Sequence, residues 1–168
     1  MDSFVANFHK VSYEQFKKDC DRNLNTEGVD LRKLYDQIQI PSRSTAGSAG
    51  YDFHIPVPVC FDAMEYKVIP TGIRVQIQPG YFLMLVPRSG EGFKYGMRLA
   101  NTVGIIDSDY FDADNEGHIM AKVSYQVNRS LLDGDRFMQG IFVPYGTAVN
   151  DMDADKQKRT GGFGSTGK

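Results

Sequence analysis

The sequence predicts an all-β domain, a sandwich or jelly-roll barrel, on three observations. Short strand-like runs recur from residue 51 to residue 145, some alternating apolar and polar positions and some continuously apolar, with turn residues between them. Glycine is abundant, at 17 of 168 residues, which suits a chain with many tight turns. Helical patterning is confined to the first 40 residues. The expected organisation is an N-terminal strand and helical extension over 1–40, a β-barrel over 41–150, and a Gly-rich C-terminal arm over 151–168.

Each element has a local reason. Residues 4–11 mix apolar and polar positions as an edge strand does. Ser12, Tyr13, Glu14 and Gln15 spell a capping box, with Ser12 as N-cap and Gln15 reaching back. Tyr13, Phe16, Cys20 and Leu24 follow at helical spacing. Asp30 caps a second helix with Leu31, Leu34, Tyr35 and Ile38 on one face, and Pro41 ends it. This pair of helices is expected to pack subunits together or to cover the core rather than to recognise a partner. Residues 51–59 read as one strand, near an edge because Pro56 and Pro58 cannot donate to a ladder. Val75 and Ile77 alternate with Arg74, Gln76 and Gln78. Pro79 and Gly80 make a type II turn, and 81–86 is a continuous apolar run, expected to be buried on both faces. Ile119, Ala121, Val123, Tyr125 and Val127 alternate with polar partners. Asp133 and Gly134 mark a turn before a strand over 137–145.

Composition narrows the function classes. A net charge of -2 gives no basic field for nucleic acid. Cys20 and Cys60 stand far apart in no metal spacing, as in a reduced, intracellular protein. His9, His54 and His118 pair with no Cys, so no zinc site is expected. No apolar run approaches the length of a membrane span. The N-terminus carries early acids and no apolar core of a secretory signal. The expected location is cytoplasmic, or the host cytoplasm for a viral gene.

Chemistry concentrates in a few stretches. From Thr102 to Tyr110 a β-branched run ends in Asp107, Ser108, Asp109 and an aromatic ring. Gly104 inside that run marks a bend or a close backbone approach. Asp107 falls where the apolar run stops; a carboxylate there can activate a water beside a bound substrate, although an Asx turn explains the same residues. Pro87, Arg88, Ser89 and Gly90 follow an apolar strand. Arg88 offers a planar fork to phosphate oxygens, and the amides around Gly90 could cradle phosphate, more so if a short helix starts there. The stretch 159–168 has the letters of a P-loop but not the Ser or Thr and the helix that must follow. Its Arg159, Ser165 and Thr166 still suit phosphate, and Phe163 among glycines can stack on a base. Residues 112–117 imitate the start of a calcium loop whose closing acid is replaced by Val123, and read as a solvated hairpin tip. Asp135 and Arg136 read as an ion pair, and Gln139 as a polar strand position or a site residue.

In this order the pieces resemble the homotrimeric dUTPase family. The five family motifs appear as Ala49-Gly50-Tyr51-Asp52, Pro87-Arg88-Ser89-Gly90, Asn101 through Tyr110, Gly134-Asp135-Arg136 through Gln139, and Arg159 through Gly167. The resemblance implies a jelly-roll trimer with sites at subunit interfaces, hydrolysing dUTP to dUMP and pyrophosphate with Mg²⁺. It implies Asp107 as the base for water attack on the α-phosphorus, and Tyr110 beneath the deoxyribose, leaving no room for a 2′-hydroxyl. Backbone groups from Asn101 through Gly104 to Ile106 would read the uracil edge. Arg88, Ser89, Gly90 and Gln139 would hold phosphates, Phe163 would cap the uracil, and Arg159, Ser165 and Thr166 would take the γ-phosphate. Asp52 would be a structural acid behind the site. Mg²⁺ would be held by the triphosphate and waters, with no direct protein ligand.

Two features depart from the family pattern: a lengthened link over 111–116, and 40 N-terminal residues beyond the minimal member. Two other functions compete. A dCTP deaminase of the same fold would need a catalytic Glu and usually lacks the Phe-Gly tail. The extended N-terminus and enlarged tip keep a nucleotide-gated regulator of another protein open as an added role, whereas an inactive regulator should have lost Asp107 or Phe163, and both are kept. No nucleic-acid or membrane partner is expected.

Overall fold

The computed structural model describes residues 4–151. Eleven strands and three short helices run in the order β1 (Ala6–Lys10), α1 (Tyr13–Asn23), α2 (Leu31–Gln37), β2 (Tyr51–His54), β3 (Val59–Phe61), β4 (Tyr66–Pro70), β5 (Ile73–Ile77), β6 (Tyr81–Pro87), α3 (Ser89–Tyr95), β7 (Arg98–Leu99), β8 (Gly104–Ile106), β9 (Met120–Ser124), β10 (Arg129–Leu131) and β11 (Arg136–Pro144). A 3-10 turn over Ser108–Asp112 follows β8. All strand pairs are antiparallel. The largest sheet has the order β2-β11-β6-β8, a second has β4-β9-β7, and β1-β5 and β10-β3 form two-stranded pieces. The all-β, jelly-roll-like class stands.

The core lies between these sheets. Phe53, Phe61, Ile69, Ile73, Leu83, Ile119, Tyr125, Leu131 and Phe137 are fully buried in one cluster. Each such aliphatic or Phe side chain contributes about 1.5–3 kcal/mol relative to exposure. The strict alternation of β5 is borne out: Ile73, Val75 and Ile77 point in, Arg74 and Gln76 out. Gly80 has φ +90° and the Tyr81 amide donates to Gln78 O at 3.2 Å, the type II turn the sequence calls for.

Four local expectations are corrected. Residues 51–59 are not one strand: β2 ends at His54 and β3 begins at Val59, with Pro56 and Pro58 in the turn between. The alternation of 119–127 stops early, because β9 ends at Ser124 and Val127 lies exposed beyond it. Arg136 ion-pairs with Asp52 rather than with Asp135, whose carboxylate accepts the Leu132 amide of its own turn. The apolar run 81–86 buries one face, not two. Leu83 and Leu85 enter the core, while Phe82, Met84 and Val86 are only half-buried on the outer face.

The N-terminal residues are built into this body. β1 pairs with β5 along its whole length. The α1 and α2 helices enclose a small cluster of Val11, Phe16, Cys20, Leu31 and Val57, the core-covering role expected of them. Ser12 caps α1 through its hydroxyl, which accepts the Gln15 amide at 3.1 Å, and Asp30 caps α2 through the Lys33 amide at 3.0 Å. Gln15, however, does not reach back. Its side chain donates to Asp19, and the Ser12 amide is taken instead by Glu116, from far along the chain, at 2.7 Å.

Candidate active site

Arg88 follows directly on β6. It stands at the N-cap of α3 without using its side chain as a cap, so the guanidinium is free to work elsewhere. Its Nε donates to Asp52 Oδ1 at 2.8 Å, and Arg136 Nη1 donates to Asp52 Oδ2 at 3.1 Å. The Ser44 hydroxyl adds a third bond to the same carboxylate at 2.7 Å. Burial raises the Asp52 pKa, but the Ser44 hydrogen bond and the two arginine charges outweigh it and hold the carboxyl below its ordinary range. Asp52 therefore locks two arginine forks at one end of the large sheet, where β2, β6 and β11 meet. Ser89 and Gly90 open α3, the short helix on which the phosphate reading depended. The first amides of a helix have no intrahelical acceptor and favour anions.

Two supports at this end escape sequence reasoning. Glu91, buried on α3, takes a two-pronged bond from Arg129 of β10, at 2.9 and 3.2 Å, and Arg129 also stacks 4.1 Å from the Tyr95 ring centroid. This pair pins the helix behind Ser89; no local pattern joins residues 38 positions apart. Gly50 lies close under a neighbour: a Cβ there would sit 2.1 Å from Gln139 Oε1. Gln139 lies over Gly50 and donates weakly to Pro87 O at 3.4 Å.

The second half of the candidate site lies along β8. The turn from β7 to β8 carries Asn101 and Thr102, the latter at φ +67°. Beside it opens a cleft of about 280 Å³ lined by Leu85, Leu99, Ala100, Asn101, Gly104, Met120, Ala121 and Lys122. Gly104 is the close approach the sequence suggests, since a Cβ there would meet the Leu85 side chain at 3.0 Å. Asn101 and Gly104 thus share one cleft; Met120 and Lys122, on the neighbouring strand, were not legible as lining residues. Ile106 pairs with Leu83 and packs against the core. Asp107, half-buried, leaves β8 in extended conformation and starts the 3-10 turn without capping it by its side chain. Tyr110 is only 5% exposed: its hydroxyl donates to His118 O at 2.9 Å and accepts from Asn115 Nδ2 at 2.8 Å. Arg159, Phe163, Ser165 and Thr166 lie outside the described residues.

Arg88 and Asp107 sit on one face of one sheet, but apart. Strand alternation puts Arg88, Asp52 and Gln139 on the outer face with Val86, and Asp107 on that face with Ile105. Ile106 pairs with Leu83, so Asp107 falls near Phe82, whereas Arg88 lies past the other end of β6. Six strand positions separate them, about 20 Å at roughly 3.3 Å per residue. Between them runs an apolar stripe: Met84 faces Ile105 on one side and Ile141 on the other, and Phe82 faces Val143. Ile105 is 49% exposed.

Fold and donor set define a class: a jelly-roll-like β protein with an arginine, hydroxyl and amide cradle at one end of a sheet and a carboxylate at the other. The dUTPase family model matches residues 36–167. A deoxyuridine 5′-triphosphate nucleotidohydrolase of Lactococcus lactis is 43% identical over 133 residues, 77% of this chain and 89% of that protein. One from Hahella chejuensis is 38% identical over 144 residues, 81% of this chain and 91% of that protein. The dUTPase crystal structure from Streptococcus mutans superposes with a TM-score of 0.64 at 29% identity, covering 84% of this chain and 98% of its own. A mutant dUTPase of phage phi11 of S. aureus, studied for its coordination of a structural Mg(II) ion, shares the fold at TM-score 0.64 and 17% identity, covering 90% of this chain and 98% of its own. The chain belongs to the dUTPase family.

Proposed function

We propose that the chain hydrolyses dUTP to dUMP and pyrophosphate, in sites shared between copies of a homotrimer. The observation that carries the shared site is the separation of Arg88 and Asp107 by about 20 Å along one face. The α- and β-phosphates are adjacent, so a base acting at the α-phosphorus and an arginine holding the same phosphates cannot both come from one copy. The apolar stripe between them supports a second copy seated there, which would carry its own Asp107 to this copy's Arg88. Closed cyclic symmetry then gives equivalent sites.

In this reading Asp107 takes a proton from a water. The water oxygen bonds to the α-phosphorus, the bond from that phosphorus to the bridging oxygen breaks, and pyrophosphate leaves. Arg88, held rigid by Asp52, and the Ser89 and Gly90 amides neutralise charge on the phosphates, as phosphoryl transfer chiefly requires. Gln139 contacts the same phosphates. Backbone groups from Asn101 to Ile106 read the uracil edge, and the Tyr110 ring closes the sugar side. Phe163, Arg159, Ser165 and Thr166 complete the site from the arm.

Mg²⁺ fits as a companion of the substrate. The donors at the phosphate end are guanidinium, hydroxyl and amide, complementary to phosphate oxygens and not to a cation, so the ion would be held by the triphosphate. When bound, it supplies charge neutralisation of the phosphate chain.

The test is pyrophosphate release with dUTP, dCTP, dTTP and UTP side by side. The reading expects release from dUTP alone at appreciable rate. Ammonia from dCTP, or equal release from all four, overturns it.

A further inference from the structure

The lengthened link after Tyr110 and the N-terminal extension, two separate departures in the sequence, meet in the structure. Past the 3-10 turn the chain reverses at Glu116, with φ +58°, and Gly117, with φ +66°. Glutamate seldom adopts the left-handed conformation, which costs on the order of 1–2 kcal/mol. Gly117 has no alternative, because a Cβ would lie 2.6 Å from Tyr110 O and 2.8 Å from Phe111 Cα. The reversal therefore folds the tip back onto the tyrosine.

Helix α1 holds it there. The Glu116 carboxylate accepts the Ser12 amide at 2.7 Å and the Ser12 hydroxyl at 2.6 Å. Two residues on, His118 is fully buried. Its Nε2 accepts the Gly72 amide at 2.8 Å, which assigns the proton to Nδ1, and Nδ1 donates to Asp19 of α1 at 2.5 Å. Asp19 is oriented in turn by Gln15, whose amide donates at 2.7 Å. The same tip supplies two partners of the Tyr110 hydroxyl, Asn115 and the His118 carbonyl. Arg74 closes the other side, donating to Phe111 O at 2.6 Å with its guanidinium 3.6 Å from the Phe111 ring centroid.

We propose that α1 is a specificity element of this enzyme: through Ser12–Glu116 and Asp19–His118 it fixes the tip that holds Tyr110, with Glu116 as the positioning residue. Glu116 touches no substrate. It holds a strained reversal in the one arrangement that sets the tyrosine ring against the sugar. This rests on the reading of Tyr110 as the residue facing the deoxyribose.

The experiment compares kcat/KM for dUTP, UTP and dCTP in Glu116→Ala, Tyr110→Phe and the double variant, with thermal melts alongside. Tyr110→Phe keeps the ring and removes the hydroxyl that the tip holds. Each single variant is expected to narrow the dUTP-to-UTP ratio by about tenfold or more, as small misplacements at a site do. The dUTP-to-dCTP ratio stays put, because the base is read elsewhere. The double variant should be no worse than the single ones, since both break the same linkage. An unchanged dUTP-to-UTP ratio in a folded Glu116→Ala overturns the proposal, as does a parallel fall of both ratios, which would mean general loosening. If Glu116→Ala does not fold, Ser12→Ala, which removes one of the two bonds, is read by the same criteria. Tyr110→Ala separates the levels. If it leaves the sugar ratio unchanged, the reading of Tyr110 falls and this proposal with it; if it narrows the ratio while Glu116→Ala and Ser12→Ala do not, only the positioning role falls.

Discussion

At the residue scale, Asp107 and Gly50 separate chemistry from support. Asp107→Asn keeps the size and hydrogen-bonding reach of the side chain and removes its basicity. It should retain dUTP binding and lose about 10²–10⁴-fold in turnover, the usual range for loss of a general base. Equilibrium binding of a non-hydrolysable dUTP analogue and steady-state kcat check the two halves. Gly50→Ala makes a different prediction. The intruding Cβ meets the end of the flexible Gln139 side chain, 2.1 Å from its Oε1, and that amide can swing away. The melting temperature should barely move, while KM for dUTP rises as it does in Gln139→Ala. A large loss of stability with unchanged KM would detach Gln139 from the phosphates. Residue identities of this sort were legible in the sequence where a motif carried them, as with Arg88 and Asp52. The reason Asp52 matters was not, because its two arginines come from strands 36 and 84 positions away.

At the scale of elements, the strands announced themselves where only one face had to be buried. The β5 alternation and the type II turn at Gly80 follow from local sequence alone. The run 81–86 misled because its outer face, half-buried in the single chain, is as apolar as a core. The capping box misled for a related reason: Ser12 is an N-cap, but its reciprocal acid is Glu116, which no window of a few residues can reveal. The 112–117 stretch reads as a solvated hairpin tip, but β8 and β9 lie in different sheets and Ala113 and Gly117 are buried; its attachment to α1 depends wholly on the fold. Gly117→Ala tests that attachment. Here the Cβ would strike backbone atoms 2.6 and 2.8 Å away, which cannot move aside as a side chain can, and the backbone stands at φ +66°. Chemical denaturation should show a loss of about 1–3 kcal/mol, far more than for Gly50→Ala. A loss no larger than that of Gly50→Ala would mean that the tip is loosely held.

At the scale of the molecule, several carboxylates tie distant segments together. Burial raises the pKa of each, yet hydrogen bonds and charges lower it further: His118 and Gln15 for Asp19, Ser44 with Arg88 and Arg136 for Asp52, and Ser12 for Glu116. The folded state thus binds these protons less readily than the unfolded chain, whose ordinary values are 3.8 for Asp and 4.5 for Glu. Their contribution is present above those values and is lost as pH falls through the lower folded values. Melting temperature should be flat with respect to these groups from neutral pH to about 5 and should fall steadily below about 4.5. Changing Asp52 to Ala should flatten part of that fall. The mass in solution should be about three times the 18.8 kDa of one chain.

The central claim is that Asp107 of one copy serves Arg88 of another, and mixing two dead proteins tests it most directly. Asp107→Asn and Arg88→Ala, each inactive alone, are denatured together at equal amounts and refolded. In random closed trimers roughly a quarter of the sites combine an intact Asp107 from one chain with an intact Arg88 from another. Pyrophosphate release from dUTP should therefore return to about a quarter of the wild-type rate. A mixture that stays dead, although mass measurement of differently tagged chains shows mixed trimers, would mean that each copy's Asp107 works with its own Arg88, and the shared site would be wrong.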